Sequence, residues 1–167
     1  MVQVKSGDAH AFRVLSERYR PRLERFAWRL LGDTEDAQDA AQEILLRLWQ
    51  KASLYRNQGS FDGFVYTLAR HICIRQREKQ YKTERLDEIP VTATGTTPQW
   101  GLAARVAAAV RRLPQQQRLV FILSEYEGLT YEQIAQVLGC PKGTVGSRKY
   151  LAVRALTHAL LPEETEG

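Results

Sequence analysis

Histidine, cysteine and methionine are scarce in this 167-residue chain, and that scarcity closes most routes to catalysis. The three histidines, His10, His71 and His158, lie far apart, and the carboxylates cluster on a helix face with no histidine beside them. There is no glycine-rich phosphate loop, no nucleophile elbow and no metal-ligand spacing, so we expect no catalytic residue, no metal and no cofactor. Cys73 and Cys140 are isolated and form no C-x-x-C pair, which fits small reduced core residues. No apolar run approaches the length of a membrane span and no signal-peptide pattern opens the sequence. A cytoplasmic protein with no membrane insertion is expected. No stretch alternates apolar and polar residues with a period of two, which argues against a sheet.

What is present is ample material for a core, with 44% apolar residues, and a net charge of +5 that favours a polyanionic partner. The length suits one ordinary domain or two small ones. The stretch 128–161 is the most informative. Thr130 suits an N-cap, and Ile134, Ala135 and Leu138 share one face of the helix that follows. Gly139 supplies the reversal, because glycine alone adopts positive φ without steric cost, and Pro141 suits the start of a second helix. This is the spacing of a DNA-binding helix-turn-helix. In its second helix Val145, Ala152 and Leu156 face the core, while Thr144, Ser147, Arg148 and Leu151 share the opposite face. Arg148 is placed to pair with a guanine, with Lys142, Lys149, Tyr150 and Arg154 flanking it toward phosphates.

Upstream, residues 7–31 read as a helix with Asp8 near its start, Gly32 past its end and Pro21 expected to kink it. Phe12, Leu15, Tyr19, Leu23, Phe26, Leu30 and Leu31 form its apolar stripe. Arg13, Arg18, Arg20, Arg22, Arg25 and Arg29 lie largely off that stripe, and fit a solvated face and a nucleic-acid contact equally. Residues 33–49 form a second helix. Asp33, Glu35, Asp36, Asp39 and Glu43 crowd its first half with no intervening cation. Dipole capping accounts for the earlier acids but not for Asp39 and Glu43, which repel one turn apart. The remainder suits a basic protein partner. A loop over 52–63, with Ser60 as N-cap, leads to a third helix from residue 61 to about 82. Phe61, Phe64, Val65, Leu68 and Ile72 line its inner side, and Arg70, Arg75, Arg77, Lys79 and Lys82 follow Tyr66 on the other. Aromatics at the head and cations along the shaft suit stacking on unpaired bases and tracking of phosphates.

Residues 83–99, broken by Pro90, Gly95 and Pro98, read as a flexible linker, and helices resume around 99–113 and 115–126. The expected fold is all-α, with two small helical domains: 1–82, then the linker 83–99, then 100–162, then an acidic tail 163–167.

The order of these pieces resembles the sigma-70 family of bacterial transcription initiation factors, in its short two-domain extracytoplasmic-function group. DAQDAAQEILLRLWQ at 36–50 is similar to the helix that docks on the polymerase clamp. FDGFVYTLARHICIRQREK at 61–79 is similar to the promoter-melting helix, and LPQQQRLVFILSEYEGLTYEQIAQVLGCPKGTVGSR at 113–148 to the upstream-element-binding domain. The resemblance implies that Asp36, Asp39, Gln42, Glu43 and Trp49 bind core RNA polymerase. Tyr55, Arg56, Asn57, Gln58, Phe61, Phe64, Tyr66, Arg70, Arg75 and Arg77 would engage the melted minus-ten strand, a flipped base included. Lys142, Thr144, Ser147, Arg148, Lys149, Tyr150 and Arg154 would bind the duplex minus-thirty-five element. An anti-sigma factor is the further partner the resemblance implies. Phe64 and His71 stand where the family commonly has Trp and Asn, and Gly146, Lys149 and Leu151 also depart from its pattern. The promoter sequence therefore does not carry over from relatives. A stand-alone helix-turn-helix regulator is the alternative, but it leaves the acidic and the aromatic-basic helices without purpose. A small nuclease is a more distant one.

Overall fold

The computed structural model describes residues 7–55, 59–86 and 101–161. Seven α-helices account for nearly all of them: α1 (Ala9–Leu31), α2 (Thr34–Gln50), α3 (Phe61–Leu86), α4 (Leu102–Arg112), α5 (Gln115–Glu125), α6 (Tyr131–Leu138) and α7 (Lys142–Leu160), with a single 3₁₀ turn at Ala52–Leu54. No strand occurs among the described residues.

Local chemistry sets the helix ends. The Asp8 carboxylate accepts from the amides of His10 and Ala11, and Gly32 closes α1 in the left-handed region at φ 76°. Helix α1 continues as one element through Pro21. Asp33 caps α2 by accepting from Asp36 N. Thr130 and Gln133 form a reciprocal capping box on α6, which Gly139 ends at φ 63°. Helix α3 runs through Leu86, four residues into the stretch expected to be linker, and α4 starts only at Leu102. The loop residues Arg56, Asn57 and Gln58, the linker from residue 87 onward and the acidic tail lie outside the described residues.

In the first bundle Leu23, Phe26 and Ala27 of α1 meet Ala40, Ala41, Ile44 and Leu48 of α2 and Val65, Ala69 and Cys73 of α3, all buried. Alanines on all three helices let the backbones approach closely. In the second, Leu119, Val120, Ile122 and Leu123 of α5 pack with Ile134 of α6 and with Val145 and Ala152 of α7. Each large apolar side chain buried in this way contributes roughly 1.5–3 kcal/mol. Arg118, 4% exposed, closes the α4–α5 corner by donating to the carbonyls of Val110, Arg111 and Leu113. The buried residues of both bundles belong to one contiguous cluster, because α1 packs on α4 and α5 while α3 packs on α6. The two domains, expected as separate units on a strap, are packed against each other.

Candidate nucleic-acid and partner interfaces

Helix α2 turns its alanines, Ile44, Leu45 and Leu48 inward, which leaves Asp39 and Gln42 exposed on the opposite side. Glu43 is half-buried and pairs with Arg75 of α3 at 2.5 Å and with Arg47 at 4.0 Å. Asp36 accepts from Gln80 through its carboxylate and from Gln76 through its backbone carbonyl at 3.1 Å. The half-exposed Trp49 ring stacks at a tilt on Phe12, 4.7 Å away. The acidic face is thus graded. Asp39 and Gln42 project into solvent, whereas Asp36 and Glu43 are already tied to α3.

At the head of α3, Tyr55, Phe61 and Phe64 form an aromatic cluster. Tyr55 lies 5.3 Å from each of the two phenylalanines, and Tyr19 of α1 meets Phe61 edge-on at 5.6 Å. Beside them is a cavity of about 290 Å³ lined by Leu54, Tyr55, Ser60, Gly63, Phe64, Thr67 and, from the other bundle, Gln136. Farther along, Arg70 donates to the carbonyl of Val137 at 3.3 Å and Arg77 to that of Leu30 at 2.5 Å, the latter capping the end of α1. Three of the cations expected along the DNA track, Arg70, Arg75 and Arg77, therefore hold structure together in this conformation.

Tyr66 is placed least like a DNA contact. It is fully buried, and its hydroxyl donates to Glu127, which leads into the helix-turn-helix. Burial first, and then the bond to Glu127, push its ionisation far above the usual tyrosine range. Tyr19 is shifted in the same direction by burial and by its bond to Asp62. Arg22 and Arg29 of α1 both face the Glu127 carboxylate.

The helix-turn-helix has the expected helices, turn and buried face. Val145, Ala152 and Leu156 are buried, while Lys142, Ser147, Tyr150, Leu151 and Arg154 are exposed. Arg148 is half-buried and lies 3.5 Å from Gln116, which steadies it near the reading face. Lys149 reaches back to Ser124 at 2.6 Å and Glu125 at 2.5 Å, with its side chain 13% exposed. It anchors α7 to α5 rather than pointing outward. Lys142 pairs with Glu132 at 2.9 Å. Cys73 is buried and its thiol is pushed up to about 12 by burial and by Glu43, which keeps it an inert core residue.

Residues 15–83 match the family described as Sigma-70 region 2, and residues 103–156 that described as Sigma-70, region 4. The chain is 30% identical to the RNA polymerase sigma-H factor of Pseudomonas aeruginosa over 96% of this chain and 91% of that protein. It is 33% identical to the ECF RNA polymerase sigma factor SigL of Mycobacterium tuberculosis, covering 90% of this chain and 89% of that one. The chain belongs to the sigma-70 family. Within it the relatives place this sigma factor in the extracytoplasmic-function group, and the reading as a stand-alone helix-turn-helix regulator falls away. A solved structure of the sigma factor RpoE with the anti-sigma factor NepR from Bartonella quintana resembles the fold with a TM-score of 0.75, at 25% identity, covering 90% of this chain and 96% of that one. CnrH in complex with the cytosolic domain of CnrY shares the fold at a TM-score of 0.72 and 22% identity, covering 95% and 93%. No described helix of this sigma factor is long and apolar enough to cross a membrane.

Sequence reasoning missed Glu127 and Arg118. Glu127 sits in an unpatterned turn and Arg118 inside a helix, and only the fold discloses what each one meets. The one sequence clue to Arg118 was Pro114, which ends α4 and leaves carbonyls in need of donors.

Proposed function

We propose that this sigma factor docks on core RNA polymerase through the acidic face of α2 and directs it to promoters through two separate DNA grips. Asp36, Asp39, Gln42, Glu43 and Trp49 form the docking surface, with Asp39 and Gln42 its most accessible members. The cluster of Tyr55, Phe61 and Phe64, the adjoining loop residues Arg56, Asn57 and Gln58, and Arg70, Arg75 and Arg77 form the grip on the melted minus-ten strand, with Tyr66, buried in this conformation, behind them. The cavity beside that cluster suits a flipped base. Lys142, Thr144, Ser147, Arg148, Lys149, Tyr150 and Arg154 form the grip on the duplex at minus thirty-five, with Lys149 acting through its hold on α5. We divide the chain at 1–82, 83–99, 100–162 and 163–167, and assign it no catalytic residue, metal or cofactor. It works where the polymerase does, in the cytoplasm. An anti-sigma factor is its second protein partner, by similarity to the NepR-bound relative.

One observation carries this reading. A DNA-reading helix on one bundle and an aromatic-basic helix on another lie in the order of the two matched sigma regions. Gel filtration with core polymerase tests it. The chain should co-elute and support transcription from a subset of genomic promoters, and failure to co-elute would sink it. Asp39→Lys should weaken the association without loss of helix content. It is a cleaner variant than one at Glu43, whose removal also breaks the pair with Arg75.

A further inference from the structure

One buried carboxylate bridges the two bundles. The turn after α5 fixes Glu127 in place. Its amide donates to the carbonyl of Ile122 at 3.2 Å, and Gly128 follows at φ 68°. The side chain is 4% exposed and reaches across to the first bundle. There the Tyr66 hydroxyl donates to it, Arg22 Nε stands 3.8 Å from Oε2 and Arg29 Nη1 stands 3.9 Å from Oε1. Aromatic faces steady both guanidiniums, Arg29 over Tyr126 at 3.8 Å and Arg22 over Tyr19 at 5.2 Å. Asp62 holds the far end of Arg22, 3.6 Å from Nη1, and accepts from Tyr19.

Two features mark this arrangement as a seat for an anion and not only a structural pair. The three donors all belong to the first bundle, whereas the acceptor is supplied by the second. The fit is also incomplete. Neither arginine closes to hydrogen-bond distance on Glu127. A buried carboxylate held in this way recovers only part of its lost hydration. A phosphodiester offers two non-bridging oxygens in place of the two carboxylate oxygens, and guanidinium groups bind it in forked geometry. Through Tyr19 the seat adjoins Phe61 and the aromatic cluster where unpaired bases would stack.

We propose that Arg22, Arg29 and Tyr66 form a seat for a backbone phosphate of single-stranded DNA, and that Glu127 fills this seat while the two bundles are closed on each other. The inference rests on the proposed minus-ten grip and adds α1 to it. It makes strand binding and bundle closure mutually exclusive. Closure covers other parts of the same grip as well. Arg70 is engaged by Val137, and Gln136 stands so close to Gly59 that a Cβ there would lie 3.4 Å from its Oε1.

The test uses the full chain and fluorescent oligonucleotides followed by anisotropy, with small-angle scattering to report bundle separation. Glu127→Gln should expand the chain and tighten single-stranded binding roughly tenfold, the scale of one lost charged hydrogen bond. Adding Arg22→Ala or Arg29→Ala to that variant should remove the gain. Each phosphate seated should steepen the dependence of log affinity on log salt by about 0.7. Unchanged affinity in an expanded Glu127→Gln chain overturns the proposal, and so does a gain that survives both arginine replacements. If Glu127→Gln stays compact, Glu127→Lys sets a third cation against the two arginines. A chain that still binds no tighter then counts equally against the seat. An equal gain for duplex overturns the single-strand assignment, and millimolar inorganic phosphate should compete only weakly. The seat touches no base, so a scrambled oligonucleotide should gain as much as a minus-ten one. Failure of the sigma reading shows separately, as absent co-elution with core polymerase.

Discussion

At the scale of single residues, buried polar groups carry more consequence than the exposed cations that dominate the composition. Arg118 is pushed down to about 10 by burial and, to a lesser extent, by nearby Arg77, which still leaves it protonated at neutral pH. Its donation to three carbonyls around the α4–α5 corner is the stake. Arg118→Ala should destabilise the chain by about 2–4 kcal/mol in urea denaturation, with Arg118→Lys recovering only part because an ammonium cannot fork across them. A loss under about 0.5 kcal/mol would place those carbonyls in reach of water instead. The tyrosines make a second prediction. Tyr19 and Tyr66 have folded-state values raised above the unfolded value of about 10, so their contribution is intact below that pH and is lost as pH rises beyond it. Ultraviolet titration should show both ionising only together with the loss of helical circular dichroism. Ionisation in a still-folded chain would contradict their burial.

At the scale of elements, the recognition helix α7 presents a sparse reading surface. Lys149 is occupied with Glu125, and Gly146 and Leu151 add no charge, which leaves Arg148 as the strongest candidate for base readout. Arg148→Ala in the polymerase-bound sigma factor should cost about 1–3 kcal/mol of discrimination at one upstream position and little elsewhere. Binding measured over all single-base variants of the upstream element checks this, and uniform weakening would reassign Arg148 to phosphate. Lys149→Ala should instead lower the melting temperature, since the α5–α7 tie is lost. The elements themselves were legible in the sequence. Asp8, Asp33 and Thr130 cap as their side chains dictate, and Gly32 and Gly139 take the positive φ that ends α1 and α6. The boundary at 83 was less legible. Thr83, Glu84 and Arg85 break no helical pattern, so α3 continues to Leu86.

At the scale of the molecule, the proposed grips imply that closure of the bundles is reversed when the chain acts. In that proposal the aromatic cluster and α7 face different stretches of DNA, yet Gln136 of α6 lines the cavity beside the cluster. Scattering on the free chain, compared with distances between labels on α2 and α7 in the polymerase-bound state, should show the bundles apart only when bound. Equal separation in both states would mean that closure does not limit activity.

The sequence by itself determined the helices, their caps, the two apolar faces and the helix-turn-helix, because these follow from residues within a turn or two of one another. It also exposed the acidic face of α2 and the aromatic-basic side of α3 as surfaces that suit outside partners, although Glu43 and Arg75 pair with each other in the fold. Tertiary structure alone decided the partners of Tyr66, Arg22, Arg29 and Glu127, which lie on α1, α3 and the turn after α5. Whether a given arginine stays in solvent, caps a helix like Arg77 or faces a carboxylate like Arg29 depends on which surfaces meet when the bundles pack. Local periodicity carries no information about that, because the energy that decides it is shared between residues far apart in the chain.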